Sequence, residues 1–151
     1  MLWFAIFRLV LGRRVHEPCL VAAVETQRHC SIPMSIQNSL AGIAVRDLNA
    51  ATRWYEKLLS KPADQKPMPE VAEWAFPRGG WIQVFRDSDR AGKSSVTFSV
   101  SDLKTEVDHL RSLDLSVGDV QESKQVKTVI INDRDGNQLV FAQPLTADMA
   151  Q

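Results

Sequence analysis

Over residues 39–46 apolar positions alternate. Ala41, Ile43 and Val45 fall on one face and Leu40, Gly42 and Ala44 on the other, which is the period of a strand. At Asp47 the period changes. Leu48, Ala51, Tyr55 and Leu58 recur at three- and four-residue steps, the spacing of one helix face, and predict a helix over about 48–60. Asp47 stands where an N-cap is wanted. Lys61-Pro62 ends the helix, because the residue before proline is pushed out of helical geometry. Pro67 and Pro69 keep residues 61–69 irregular, with room for one short edge strand. Residues 71–76 and 81–86 then read as two strands joined through Pro77-Arg78-Gly79-Gly80, a hairpin.

The same order returns further on. Residues 95–101 place Val96, Phe98 and Val100 on one face and Ser95, Thr97, Ser99 and Ser101 on the other. Asp102 caps a second helix to about residue 114, with Leu103, Val107, Leu110 and Leu113 as its core positions. A strand over 117–123 is expected. A hairpin over 127–132 and 138–143 follows, turning through Asp133-Arg134-Asp135-Gly136-Asn137, where Asp-Gly supplies the positive φ of a tight turn. Val45 matches Val100, Asp47 matches Asp102, Leu48 matches Leu103 and Leu58 matches Leu113, all at an offset of 55 residues. The order is βαβββ twice, over about 36–90 and 94–145, joined by Ala91-Gly92-Lys93. This is an α+β arrangement, not a doubly wound parallel sheet.

Composition narrows the function. The chain of 151 residues holds 18 basic and 18 acidic side chains with no basic stripe, which argues against a nucleic-acid partner. Both cysteines, Cys19 and Cys30, precede the repeated region, which therefore relies on no disulfide; a reducing, cytoplasmic setting is expected. Residues 1–10 are apolar except for Arg8, but the run is too short to span a bilayer, and Arg13-Arg14 follow it rather than precede it. Residues 1–33 are expected to lie outside the fold and to carry no function of their own. The alternatives are a short amphipathic membrane anchor and a targeting peptide. Met34-Ser35-Ile36 is a sensible start for a domain over 34–151.

A strand ending in V-x-D-L, a helix carrying A-x-x-x-Y, and a late D-x-D-G-N before a final apolar strand together resemble the vicinal oxygen chelate superfamily. This is the family of glyoxalase I, extradiol dioxygenases and bleomycin-resistance proteins. The resemblance spans about residues 36–145. It implies that the two modules form a curved mixed sheet around a cup-shaped cavity, with the ligand in the cup. It also implies a homodimer, in which some members build each cup from modules of both subunits. Metal-dependent members place ligands at four positions, which fall here on Leu40, Gln83, Ser95 and Val140. Leu and Val offer no donor, and Ser and Gln are neutral and weak, so neither a metal nor another cofactor is expected. His109 is the single histidine of the repeated region and is expected at the helix surface or boundary. Glu73 is the one acid on a wall strand that a magnesium or manganese site could recruit.

Strand parity lists the remaining wall residues. Leu40, Gly42, Ala44, Trp81, Gln83, Phe85, Ser95, Thr97, Ser99, Gln138, Val140 and Ala142 share the face away from the helices. Trp74 and Phe76 join that face if the hairpin connection has two or four residues, and face the helix if it has three. Arg46 and Arg78 sit at strand ends, where an anionic ligand could meet them; solvated charge is the favoured reading. Asp133 to Asn137 resembles a calcium loop, but the flanking strands and the turn chemistry favour a hairpin. No phosphate loop or nucleophile elbow occurs.

The favoured function is metal-independent binding of a small molecule, for sequestration or sensing. Trp81, Phe85 and Trp74 would supply aromatic surface, and Gln83, Ser95, Thr97 and Gln138 would supply hydrogen bonds; no residue is assigned a catalytic role. The alternatives are a metal-dependent lyase, isomerase or dioxygenase of the same superfamily, and a structural or regulatory homodimer without a ligand. No membrane partner is expected.

Overall fold

Asp47 and Asp102 shape both modules in the same way. Each aspartate sits in extended geometry and accepts hydrogen bonds from the first helical turn: Asp47 from the Ala50 N–H, Asp102 from the Lys104 and Thr105 N–H groups. In a computed structural model of the chain, residues 38–146 are described. The expectation for residues 1–33 lies outside the described residues. The order is β1 (Leu40–Val45), α1 (Leu48–Leu58), β2 (Val71–Ala75), β3 (Trp81–Arg86), β4 (Ser95–Ser99), α2 (Leu103–Ser112), β5 (Gln121–Glu122), β6 (Val126–Asn132) and β7 (Gln138–Pro144). The edge strand with room in 61–69 is reduced to a single bridge between Gln65 and Glu73. The strand expected over 117–123 shrinks to Gln121–Glu122.

The fold is α+β with two mixed sheets, of strand order β1-β3-β2 and β4-β7-β6-β5. β1 runs parallel to β3, and β4 parallel to β7, as a helical crossover requires. β2 and β6 return antiparallel as hairpins. Ile43, Val45, Ile82, Val84, Val96, Phe98, Leu139 and Phe141 form one buried core with Tyr55, Leu58, Val107 and Leu110 of the helices. Phe76, just beyond β2, meets Phe98 of β4 edge-on at 5.7 Å between ring centroids. The helix-bearing sides of the two sheets thus share this core, and their other sides face outward.

Side chains, not a strand ladder, join the modules. The Ala44 N–H donates to Ser94 Oγ, and the Ala44 carbonyl accepts from Asn137 Nδ2. Asn137 is fully buried; its Oδ1 accepts from the Ser94 N–H, and its second N–H goes to Asp133 Oδ2. Asp133 Oδ2 also receives the Tyr55 hydroxyl at 2.9 Å, and its Oδ1 receives the Asp135 and Asn137 N–H groups. Burial first, and then the Asp133 carboxylate, hold the Tyr55 hydroxyl far above the usual phenol range, so it stays a donor. Gly92 lets the linker lie on this turn: a Cβ there would collide with the Asp135 carbonyl oxygen, and its φ is +80°. Among the described residues no helix is long and apolar enough to cross a membrane.

The Asp102 cap has a pH signature. Its carboxyl lies below the usual range, first because the Thr105 hydroxyl donates to it and then because backbone N–H groups do. A carboxyl lowered by folding stabilises above its unfolded value near about pH 4, and that contribution is lost as pH falls through the folded value. Asp102→Ala is expected to lower the thermal midpoint at neutral pH. The gap to the unsubstituted protein should close in acid; a gap that persists there would show that the cap acts through packing instead.

Candidate functional site

The outward side of each sheet is built from cross-strand rows set by the pairing register. On the first sheet these are Leu40–Trp81–Ala75, Gly42–Gln83–Glu73 and Ala44–Phe85–Val71. On the second they are Ser95–Gln138–Asn132, Thr97–Val140–Ile130 and Ser99–Ala142–Thr128. Parity therefore puts Trp81, Gln83 and Phe85 together on one wall and Ser95, Thr97 and Gln138 on the other.

The two walls differ in chemistry. Trp81 and Phe85 flank Gln83 along β3, each half-buried, with the Arg90 guanidinium 5.1 Å from the Phe85 ring centre. Gly42 leaves room for Phe85: a Cβ there would stand 3.2 Å from its ring. The second wall exposes Ser95, Thr97, Ser99 and Gln138, whose side chains make no hydrogen bond among the described residues, around half-buried Val140 and exposed Ile130. Free hydroxyls and an amide beside apolar area are what a polar ligand of moderate size can use.

Trp74 is not on the wall. It pairs directly with Ile82, so it shares that residue's helix-facing side. It is fully buried, packs 5.9 Å from Tyr55, and donates its indole N–H to the Lys61 carbonyl. The reason is the connection: residues 76–80 separate the paired Ala75 and Trp81, an odd count that acts on parity as three residues would. The same register turns Glu73 to the wall side, opposite Gln83. Glu73 is 5% exposed and accepts from Gln83 Nε2 and Gln65 Nε2, each at 2.6 Å. Sequence reasoning named Glu73 only as an acid that a magnesium or manganese site could recruit, and gave Gln65 no role. The odd count would have placed Glu73, but no periodic signal marks Gln65, which lies on a loop.

Other candidates resolve elsewhere. Arg46 pairs with Asp135 at 2.8 Å, while Arg78 is exposed on the hairpin turn. His109 is half-buried at the helix boundary, with Nε2 3.0 Å from the Leu58 carbonyl at the end of α1. Asp133–Asn137 is a hairpin turn, its Asp133 oxygens filled by donors of the chain itself. A small cavity of about 120 Å³ lies beside that turn and α1, lined by Arg46, Trp54, Tyr55 and Asp135 among others. It is away from both walls, and two of its charged groups, Arg46 and Asp135, pair with each other.

No protein-family model matches the chain, and no curated protein does. Solved structures do. A glyoxalase/bleomycin resistance protein from Catenulispora acidiphila is 26% identical over 72% of this chain and 98% of its own, with a TM-score of 0.65. Together with the repeated module, that likeness shows the superfamily. The chain carries a vicinal oxygen chelate domain. TnmS3, an antibiotic binding protein from Streptomyces sp. CB03234, is 15% identical over 74% of this chain and 98% of its own, with a TM-score of 0.63. Oxidase ChaP-H2 is 18% identical over 73% and 94%, with a TM-score of 0.59. These two show the fold alone; one is an antibiotic binding protein and the other an oxidase.

The metal of the vicinal oxygen chelate enzymes does not fit these residues. Leu40 and Val140 present hydrocarbon, Ser95 a neutral hydroxyl, and the Gln83 amide is held by Glu73. Among the described residues no three of His, Cys, Asp and Glu gather where they could hold a metal ion.

Proposed function

We propose that this vicinal oxygen chelate domain binds a planar small molecule without a metal, for sequestration or sensing. The observation that carries the reading is the outward wall of Trp81, Gln83 and Phe85, matched by a second wall whose Ser95, Thr97 and Gln138 side chains have no partner among the described residues. Because the helix sides of the sheets share one core, the two walls of a chain face outward. A homodimer would set the aromatic wall of one copy against the hydroxyl wall of the other and close a cup. In this reading the working unit is residues 34–151, in the cytoplasm.

Intrinsic tryptophan fluorescence against a compound panel tests it, with sedimentation run in parallel. At least one class of planar compound is expected to quench the emission, and Trp81→Ala to weaken its binding by about tenfold, the scale of one lost aromatic contact. If no class binds, and Gln83→Ala and Ser95→Ala change only self-association, the walls are interface and the reading is wrong.

A further inference from the structure

Glu73 combines three features. The residue is 5% exposed yet belongs to a wall row, and among the described residues its carboxylate makes no ion pair. Both of its partners are neutral amides: Gln83 Nε2 to Oε1 and Gln65 Nε2 to Oε2. A carboxylate only accepts hydrogen bonds, so it pins each amide with nitrogen inward and the carbonyl oxygen turned away from it. Gln83 is half-buried and Gln65 exposed, whereas Glu73 is buried, and neither amide oxygen accepts a hydrogen bond among the described residues.

We propose that Glu73 sets Gln65 and Gln83 as oriented acceptors beside Trp81, and that this wall thereby selects a planar cation bearing N–H donors, an aromatic amine or amidine. The inference deepens the ligand-binding reading and rests on it. Two effects converge. The carboxylate lends its charge to hydrogen bonds made through the amides, and charge-assisted bonds are the stronger ones. The face of Trp81 favours a cation over an anion by its quadrupole, whereas the Phe85 ring already carries the Arg90 guanidinium. An anionic ligand would meet carbonyl oxygens backed by a buried negative charge.

The backbone gives Glu73 a purely structural alternative. The Glu73 N–H donates to the Gln65 carbonyl, and the Glu73 carbonyl accepts from Asp64 N–H, so the residue also ties the 61–69 loop to the sheet. Glu73→Gln keeps those backbone bonds and the side-chain size but removes the charge and the fixed amide polarity. Ligand charge preference is therefore the readout that a loop-tethering role would not move.

The experiment is calorimetric titration of the full chain with proflavine, a planar cationic diamine, and with acridine carboxylate, a planar anion of the same ring system. Proflavine is expected to bind about tenfold tighter or more, the scale of one charge-assisted hydrogen bond. E73Q should bring the ratio close to one. Q65A, at an exposed position, should reduce the ratio severalfold, and decides the matter if E73Q fails to fold. Equal binding of both probes, or an unchanged ratio in the folded variants, overturns this inference and leaves ligand binding standing. If neither probe nor any panel compound binds, both fall.

Discussion

Trp74→Ala is expected to destabilise the domain by about 3–5 kcal/mol, the usual range for emptying a buried tryptophan site. The side chain is fully buried against Tyr55, and its indole N–H is bonded to the Lys61 carbonyl. Truncation leaves a cavity between α1 and β2 and strips that carbonyl of a partner. For a domain of this size the thermal midpoint should drop by roughly 15 °C. Trp74→Phe keeps most of the ring and loses only the N–H bond, so about 1–2 kcal/mol is expected. Trp81→Ala, on the half-buried wall, should cost about 1 kcal/mol or less while abolishing the fluorescence response to ligand. Urea unfolding at unchanged m-value separates the two tryptophans. If Trp74→Ala proved mild and Trp81→Ala severe, the register of β2 on β3 would be wrong, and the composition of the aromatic wall with it.

The two tryptophans also show where sequence reasoning stops. Period-two alternation and a capping aspartate are local signals, and they locate β1, β3, β4, α1 and α2 to within a residue or two. Parity then carries the wall residues of β1, β3, β4 and β7 onto their common face, because each strand's pattern is anchored by its buried partners. β2 breaks the chain of inference. Its residues Val71 to Trp74 are all buried, so no alternation reveals which side faces the helix. The side is set by the turn at residues 76–80, where two glycines and a proline allow several lengths of connection. Trp74 and Glu73 exchange roles on that single count. Gln65 is harder still: its contact with Glu73 joins an irregular loop to a strand, and neither end carries a period.

Distance along the chain hides the other missed group. Tyr55 falls at helical spacing among apolar residues and reads as core, which its ring is. Its hydroxyl finds Asp133 across 78 residues of sequence, in a segment whose composition is fully accounted for as a turn. Turn chemistry explains why Asp133 to Asn137 bends. It gives no sign that two of those side chains are buried. A residue type that satisfies one local role conceals a second, tertiary one.

That second role makes Asn137→Ala the other large effect. The Asn137 amide donates to the Ala44 carbonyl and to Asp133 Oδ2, each at 2.8 Å, and accepts from the Ser94 N–H at 3.0 Å. Removing it leaves the buried Ala44 carbonyl and the half-buried Ser94 N–H without this partner, and Asp133 Oδ2 with one donor fewer. At about 1–3 kcal/mol for each unsatisfied group, partly relieved by water or relaxation, a loss of about 3 kcal/mol is expected by urea unfolding. Asn137→Asp should cost more despite its matching shape. A carboxylate returns no donor to the Ala44 carbonyl and lies against the Asp133 carboxylate in a buried site. Tyr55→Phe removes one donor from the same carboxylate and should cost about 1–2 kcal/mol. Asn137 and Tyr55 share Asp133, so the double substitution should depart from the sum of the single losses. Strict additivity would mean that Asp133 is not a common acceptor. Asn137 would then support the module seam through Ala44 and Ser94 independently of the Tyr55 hydroxyl.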